Sequence, residues 1–104
     1  PKVILLFVGD GDQRVALERH AERNGLADHV ILAGKKQGED LYACYNVGQI
    51  FILPSYYERF GAVVNEALLA GCYTLCSVVA GAACLIEPQK NGDLFDPASK
   101  TYLA

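Results

Sequence analysis

The amino-acid sequence predicts a doubly wound α/β domain built on a parallel sheet. Short apolar runs rich in Val, Ile and Leu alternate with amphipathic stretches along the chain, the pattern of β-α repeats. The runs are near-continuous, as strands covered on both faces should be. Glycine or proline closes each of the first three.

Residues 2–8 (KVILLFV) read as the first strand, with Gly9-Asp10-Gly11 as its stop. From residue 12 to about 24, Val15, Leu17 and Ala21 alternate with Arg14, Glu18, Arg19, Glu22 and Arg23, giving a helix with one apolar and one charged face. Asn24-Gly25 ends it. Residues 29–33 (HVILA) form the second strand, Gly34 stops it, and residues 39–46 (EDLYACYN) read as a short helix. Residues 49–53 (QIFIL) are the third strand; Pro54 breaks it because proline lacks the donor a central strand needs. A helix starts at Gly61 or Ala62 and runs through Ala70 to Gly71, residues 73–79 supply a fourth strand, and residues 91–95 a short fifth. Asp96-Pro97-Ala98-Ser99 has the form of a helix start, with Asp96 as N-cap and Pro97 in the first helical position. Ligands of such sheets lie beyond the carboxyl ends of the strands, which selects the loops at 9–12, 34–38, 54–61 and 79–83.

With 104 residues the chain fits one domain. Its 52% apolar and 20% charged residues, with no apolar run of membrane-spanning length, place it in the soluble globular class. A net charge of −3 excludes a general pull toward nucleic acid or anionic lipid, so any phosphate site must be local. Cys44, Cys72, Cys76 and Cys84 show neither a CxxC pair nor zinc-type spacing; sitting among apolar or small residues, they are expected to be buried free thiols in a reducing, cytoplasmic setting. No export signal opens the chain. The lack of methionine and a start at Pro1 in a strand-like run lead us to expect a domain excerpt.

The segment 54–66, PSYYERFGAVVNE, is the most informative. It leaves a strand, crosses a loop holding Glu58 and Gly61, and enters a helix whose first turns contain Val63, Val64 and Glu66. A helix N-terminus offers unpaired N–H groups and a positive dipole end, so phosphate can bind there without a basic side chain. Gly61 lets the backbone approach it, and the two carboxylates can accept hydrogen bonds from sugar hydroxyls on either side. The same residues also fit a plainer account. The dipole alone favours Glu66 by about 0.3–1 kcal/mol, and Glu58 suits a solvated loop.

Other features are weaker. Gly9-Asp10-Gly11 lacks the third glycine of a dinucleotide fingerprint, Arg14 standing there instead, and reads as a strand-to-helix turn. His20 and His29 have no Cys, Asp or Ser partner at a telling distance and are assigned structural or solvent roles. Tyr42, Tyr45, Tyr56 and Tyr57 read as packing or rim residues. Lys35 and Lys36 follow the second strand and suit either a phosphate contact or a solvated turn.

Taken in order, these segments resemble the C-terminal domain of the retaining glycosyltransferases of GT-B fold often called family 4. VGDG at 8–11, HVILAG at 29–34, PSYYERFGAVVNEALLAG at 54–71 with its glutamate-x7-glutamate block, and the Asn91-Gly92 turn are collinear with that family's blocks. The resemblance implies a truncated, Rossmann-like C-terminal half of such an enzyme, with residues 1–104 forming a partial nucleotide-sugar-binding domain. It implies that Glu66 binds the ribose hydroxyls and that Glu58, the candidate catalytic residue, faces the hydroxyls of the transferred sugar. The amides around Gly61, Ala62, Val63 and Val64 would cradle the distal phosphate, and Gly34 and Lys35 would border the base. The donor would be a nucleotide diphosphate sugar such as a UDP-sugar, with no metal or other cofactor. The family's diphosphate-binding Arg and Lys would lie in a first strand-loop-helix unit ahead of Pro1, and an acceptor, glycan or lipid-linked, would be held by an N-terminal domain preceding that. The excerpt alone is expected to be inactive. Its parent would act in the cytoplasm or at the cytoplasmic face of a membrane, with no nucleic-acid partner and no anchor encoded here. The sequence departs from the family pattern at Arg59, Tyr73, Ala80 and Cys84, which leaves the donor sugar open.

Three rivals remain: a nucleotide-sugar epimerase of the same fold, a non-catalytic α/β binding module, and a nicotinamide-binding domain. Arg14 and the absence of an acidic residue at Ala33-Gly34 disfavour the last.

Overall fold

A computed structural model describes residues 3–56 and 58–99. The chain divides into two compact units, Pro1–Leu41 and Tyr42–Ala104.

In the first unit, strand β1 (Leu5–Phe7) pairs in parallel with β2 (Val30–Leu32), Leu6 opposite Ile31. The ladder is shorter than the apolar runs predict: residues 3 and 4 lie outside it, and the chain turns at Gly34, whose carbonyl accepts from Gly9 N–H at 2.9 Å. Helix α1 (Arg14–Arg23) connects the strands and buries Ala21 on its inner face. Its end closes as expected at Asn24 and Gly25: Leu26 N–H donates to the Ala21 carbonyl at 2.8 Å and Gly25 N–H to Glu22 at 3.2 Å, which satisfies carbonyls the helix would otherwise leave open. A 3-10 turn at Ala27–His29, which the sequence reading did not separate from the second strand, leads into β2.

Helix α2 (Gly38–Val47) runs from the first unit into the second. The second unit is a parallel three-stranded sheet in the order β3 (Ile50–Leu53), β4 (Tyr73–Ser77), β5 (Gly92–Phe95). Leu75 stands opposite Ile52 on one side and Asp93 on the other. Helix α3 (Ala62–Leu69) crosses from β3 to β4, and a 3-10 turn (Gly81–Leu85) lies between β4 and β5. The expected parallel α/β architecture is thus present, its five described strands falling into a pair and a triplet.

The core sits in this second unit. Val64, Cys76, Ala80, Ala82 and Ile86 form one buried cluster, with Leu53, Leu68, Leu85 and Leu94 packed around it. Val64 and Ala67 occupy the inner face of α3 at helical spacing. The strands pack so closely that a Cβ on Gly92 would overlap the Thr74 carbonyl. That position therefore requires glycine.

The cysteine expectation holds for two of four positions. Cys72 and Cys76 are buried free thiols, but Cys44 is half-buried and Cys84 exposed. In a 3-10 turn side chains repeat every third residue, so Ala82 and Leu85 face inward and Cys84 points away. At the other end, Asp96 accepts from Ala98 N–H at 2.9 Å, the contact expected of an N-cap; residues after 99 lie outside the described part.

Candidate functional site

The loop from Pro54 to α3 sits where the sequence places it, at the carboxyl end of β3. Gly61 occupies the N-cap position with φ 87° and ψ 64°, a left-handed conformation that side chains disfavour. Among the described residues, no side chain caps the helix there. Its first N–H groups, those of Ala62 and Val63, have no intrahelical acceptor by geometry. Ala62 and Val63 are exposed, while Gly61 and Val64 are buried in the core, and Val64 N–H donates to the Gly61 carbonyl at 3.0 Å. The positive end of the dipole suits an anion.

Glu58 is half-buried on the approach to this helix end. Its backbone forms a parallel bridge with Ala80, and its carbonyl accepts from Gly81 N–H at 3.3 Å. Two residues on, the Phe60 carbonyl accepts from Ala82 N–H at 2.5 Å. These bonds continue the β3-β4 pairing past the sheet edge and set the direction of the loop. A Cβ at position 61 would stand 3.0 Å from Leu53 Cδ2 and 3.3 Å from Glu58 Cγ, so Gly61 also makes room for the Glu58 side chain.

Glu66 lies a little over a turn into α3 and is half-buried. The Tyr45 hydroxyl, from the last turn of α2, donates to Glu66 Oε2 at 3.0 Å. The Tyr45 ring meets Phe51 edge-on, centroids 5.8 Å apart. Burial first, then this hydrogen bond to the Glu66 carboxylate, pushes the Tyr45 hydroxyl above its ordinary range, so it stays protonated and a donor. Sequence reasoning took Tyr45 for a packing or rim residue. It does pack, but it also binds a candidate site carboxylate 21 positions away, and no local spacing signals that. The turn between α2 and β3 is tied down as well: Cys72 Sγ donates to the Tyr45 carbonyl at 3.2 Å and lies 3.5 Å from that of Gly48. Burial raises the pKa of this thiol and of Cys76.

The remaining candidates fall elsewhere. Gly34 and Lys35 belong to the first unit, Gly34 in a left-handed turn with φ 76° and Lys35 exposed. Arg14, where a fingerprint glycine would stand, donates to the Leu32 carbonyl at 3.2 Å and pairs with Glu18 at 3.2 Å, tying α1 to the end of β2. His29 Nδ1 contacts the Val3 carbonyl at 2.8 Å, the structural role expected of it. Tyr42 and Tyr56 are exposed, and Tyr57 lies outside the described residues. Arg59 makes no ion pair with Glu58 among the described residues. Among the same residues, no group of three His, Cys, Asp or Glu side chains gathers as an ion site. No helix there is long and apolar enough to cross a membrane.

The family described as glycosyl transferases group 1 matches residues 1–104. The chain belongs to this family. An uncharacterized glycosyltransferase of Methanocaldococcus jannaschii is 34% identical over 100 residues, covering 96% of this chain and 26% of the relative. The D-inositol 3-phosphate glycosyltransferase of Mycobacteroides abscessus is 32% identical, covering 97% and 24%. Among solved structures, Anabaena HepE in complex with UDP-glucose superposes with a TM-score of 0.85 at 31% identity, over all of this chain and 30% of HepE. The chain thus spans about a quarter of the length of these curated relatives. The fold is that of the GT-B glycosyltransferases, of which the chain matches a part.

Proposed function

We propose that this chain supplies the donor-binding site of a retaining glycosyltransferase, which transfers a sugar from a nucleotide diphosphate to a glycan, lipid or other acceptor. The observation that carries the reading is the uncapped N-terminus of α3 behind left-handed Gly61, flanked by Glu58 and Glu66. The amides of Ala62 and Val63 hold the distal phosphate, Val64 N–H being already bonded to the Gly61 carbonyl at 3.0 Å, and the dipole stabilises charge on the departing nucleotide diphosphate without a metal. Glu66 accepts from the ribose hydroxyls. Glu58, at the loop side of the same helix end, accepts from hydroxyls of the transferred sugar and holds its anomeric carbon near the phosphate. HepE was solved with UDP and with UDP-glucose, which favours a UDP-sugar donor. The acceptor is bound by a further domain, and the whole enzyme works on the cytoplasmic side.

Titration of the chain with UDP, GDP and ADP, followed by backbone amide NMR, tests this. The expected result is shifts centred on residues 61–66, with affinity falling about tenfold or more in Glu66→Ala, the cost of losing hydrogen bonds to a charged acceptor. Shifts elsewhere, or an indifferent Glu66→Ala, would overturn the assignment.

A further inference from the structure

We infer that Tyr45 is a positioning residue for ribose recognition: its hydroxyl occupies Glu66 Oε2 and so presents Oε1 to the nucleotide. The inference rests on the ribose role proposed for Glu66. A glutamate on a helix has freely rotating terminal torsions, and a carboxylate meant to accept from two vicinal hydroxyls must be held in one orientation before the ligand arrives. Tyr45 provides the hold. Its hydroxyl donates to Oε2 at 3.0 Å, and that bond is partly buried. Its ring is fixed by the edge-on contact with Phe51, whose strand leads directly to Pro54 and the site loop. Its backbone is fixed by the thiol of Cys72, which donates to the Tyr45 carbonyl. Because the hydroxyl stays protonated, it can only donate to an ionised carboxylate, and Glu66 keeps its remaining lone pairs for the ligand.

Tyr45→Phe removes the hydroxyl and keeps the ring against Phe51. Affinity for UDP and for 2′,3′-dideoxy-UDP, measured by calorimetry on the chain and on Tyr45→Phe, Glu66→Ala and the double variant, separates positioning from structure. Tyr45→Phe should weaken UDP roughly three- to tenfold and leave the dideoxy ligand nearly unchanged, the range expected for one hydrogen bond. In the Glu66→Ala background the same change should have no effect, since there is no carboxylate left to orient. Equal weakening of both ligands would make Tyr45 merely structural, and no weakening would make its hydrogen bond irrelevant; either overturns the inference while the ribose role stands. If Glu66→Ala does not discriminate the ligands, or if the folded wild-type chain binds neither UDP nor ADP nor GDP, the ribose role falls and this inference with it.

Discussion

The two units of the chain hold their shape by different means. In the second, α3 and the loop after β4 bury Val64, Ala67, Cys76 and Ala82 completely. In the first, the buried apolar residue among those described is Ala21, while Val15, Leu5 and Ile31 are each about half exposed. Here backbone and side-chain hydrogen bonds do more of the ordering: Gly9 to Gly34, Arg14 to Leu32, and His29 to Val3. The lesson concerns placement. Glu58, Gly61 and Glu66 all lie in the region whose backbone is fixed by dense packing, where a displacement of an ångström is resisted from several sides.

That contrast can be broken most severely at Gly92. Gly92→Ala drives a methyl into the Thr74 carbonyl, backbone against backbone, and should cost about 3 kcal/mol or more. Urea unfolding should show the loss, and amide exchange should place it first in β4 and β5. Retention of wild-type stability would mean that the β4-β5 packing is looser than described. A matched pair sharpens the comparison at lower cost. Val64→Ala opens a cavity in the core and should destabilise by on the order of 2 kcal/mol, whereas Val15→Ala, 55% exposed, should stay within about 0.5 kcal/mol. Equal effects would erase the distinction between the units.

The smallest effect expected is a pH dependence. Burial raises the pKa of Cys72 and Cys76, and burial with the Glu66 carboxylate raises that of Tyr45. The unfolded chain releases these protons near their ordinary values while the folded chain keeps them, so unfolding is favoured as pH rises. Stability should be intact below about pH 8 and decline above about pH 9 to 10. Tyr45→Phe and Cys72→Ala should each flatten the alkaline slope relative to their own neutral-pH stability. At pH 8 a thiol reagent should modify exposed Cys84 well before Cys72 or Cys76.

How much of this was legible beforehand depends on how local the cause was. Strands β3 and β4 and helix α3 follow from apolar runs bounded by Pro54, Gly61 and Gly71, and each appears within two residues of its expected limits. The 3-10 turn at Gly81–Leu85 did not, because GAACL is too short to show a period; the expected burial of Cys84 failed for the same reason. The first strand shrank because its partner offers three residues, a fact about pairing rather than about KVILLFV. At the site, Gly61 and the two glutamates could be read from their neighbours in sequence. Tyr45 could not, since what makes it matter is a contact with Glu66 formed only when α2 and α3 come together.

The bonds that join Glu58 to Gly81 and Phe60 to Ala82 carry a consequence for how such a domain can diversify. They splice two loops, one after β3 and one after β4, into a single ribbon, in which residues 54–57 on one side span the interval covered by 77–79 on the other. A change at residues 80–83 would therefore move Glu58 through its backbone without altering either glutamate.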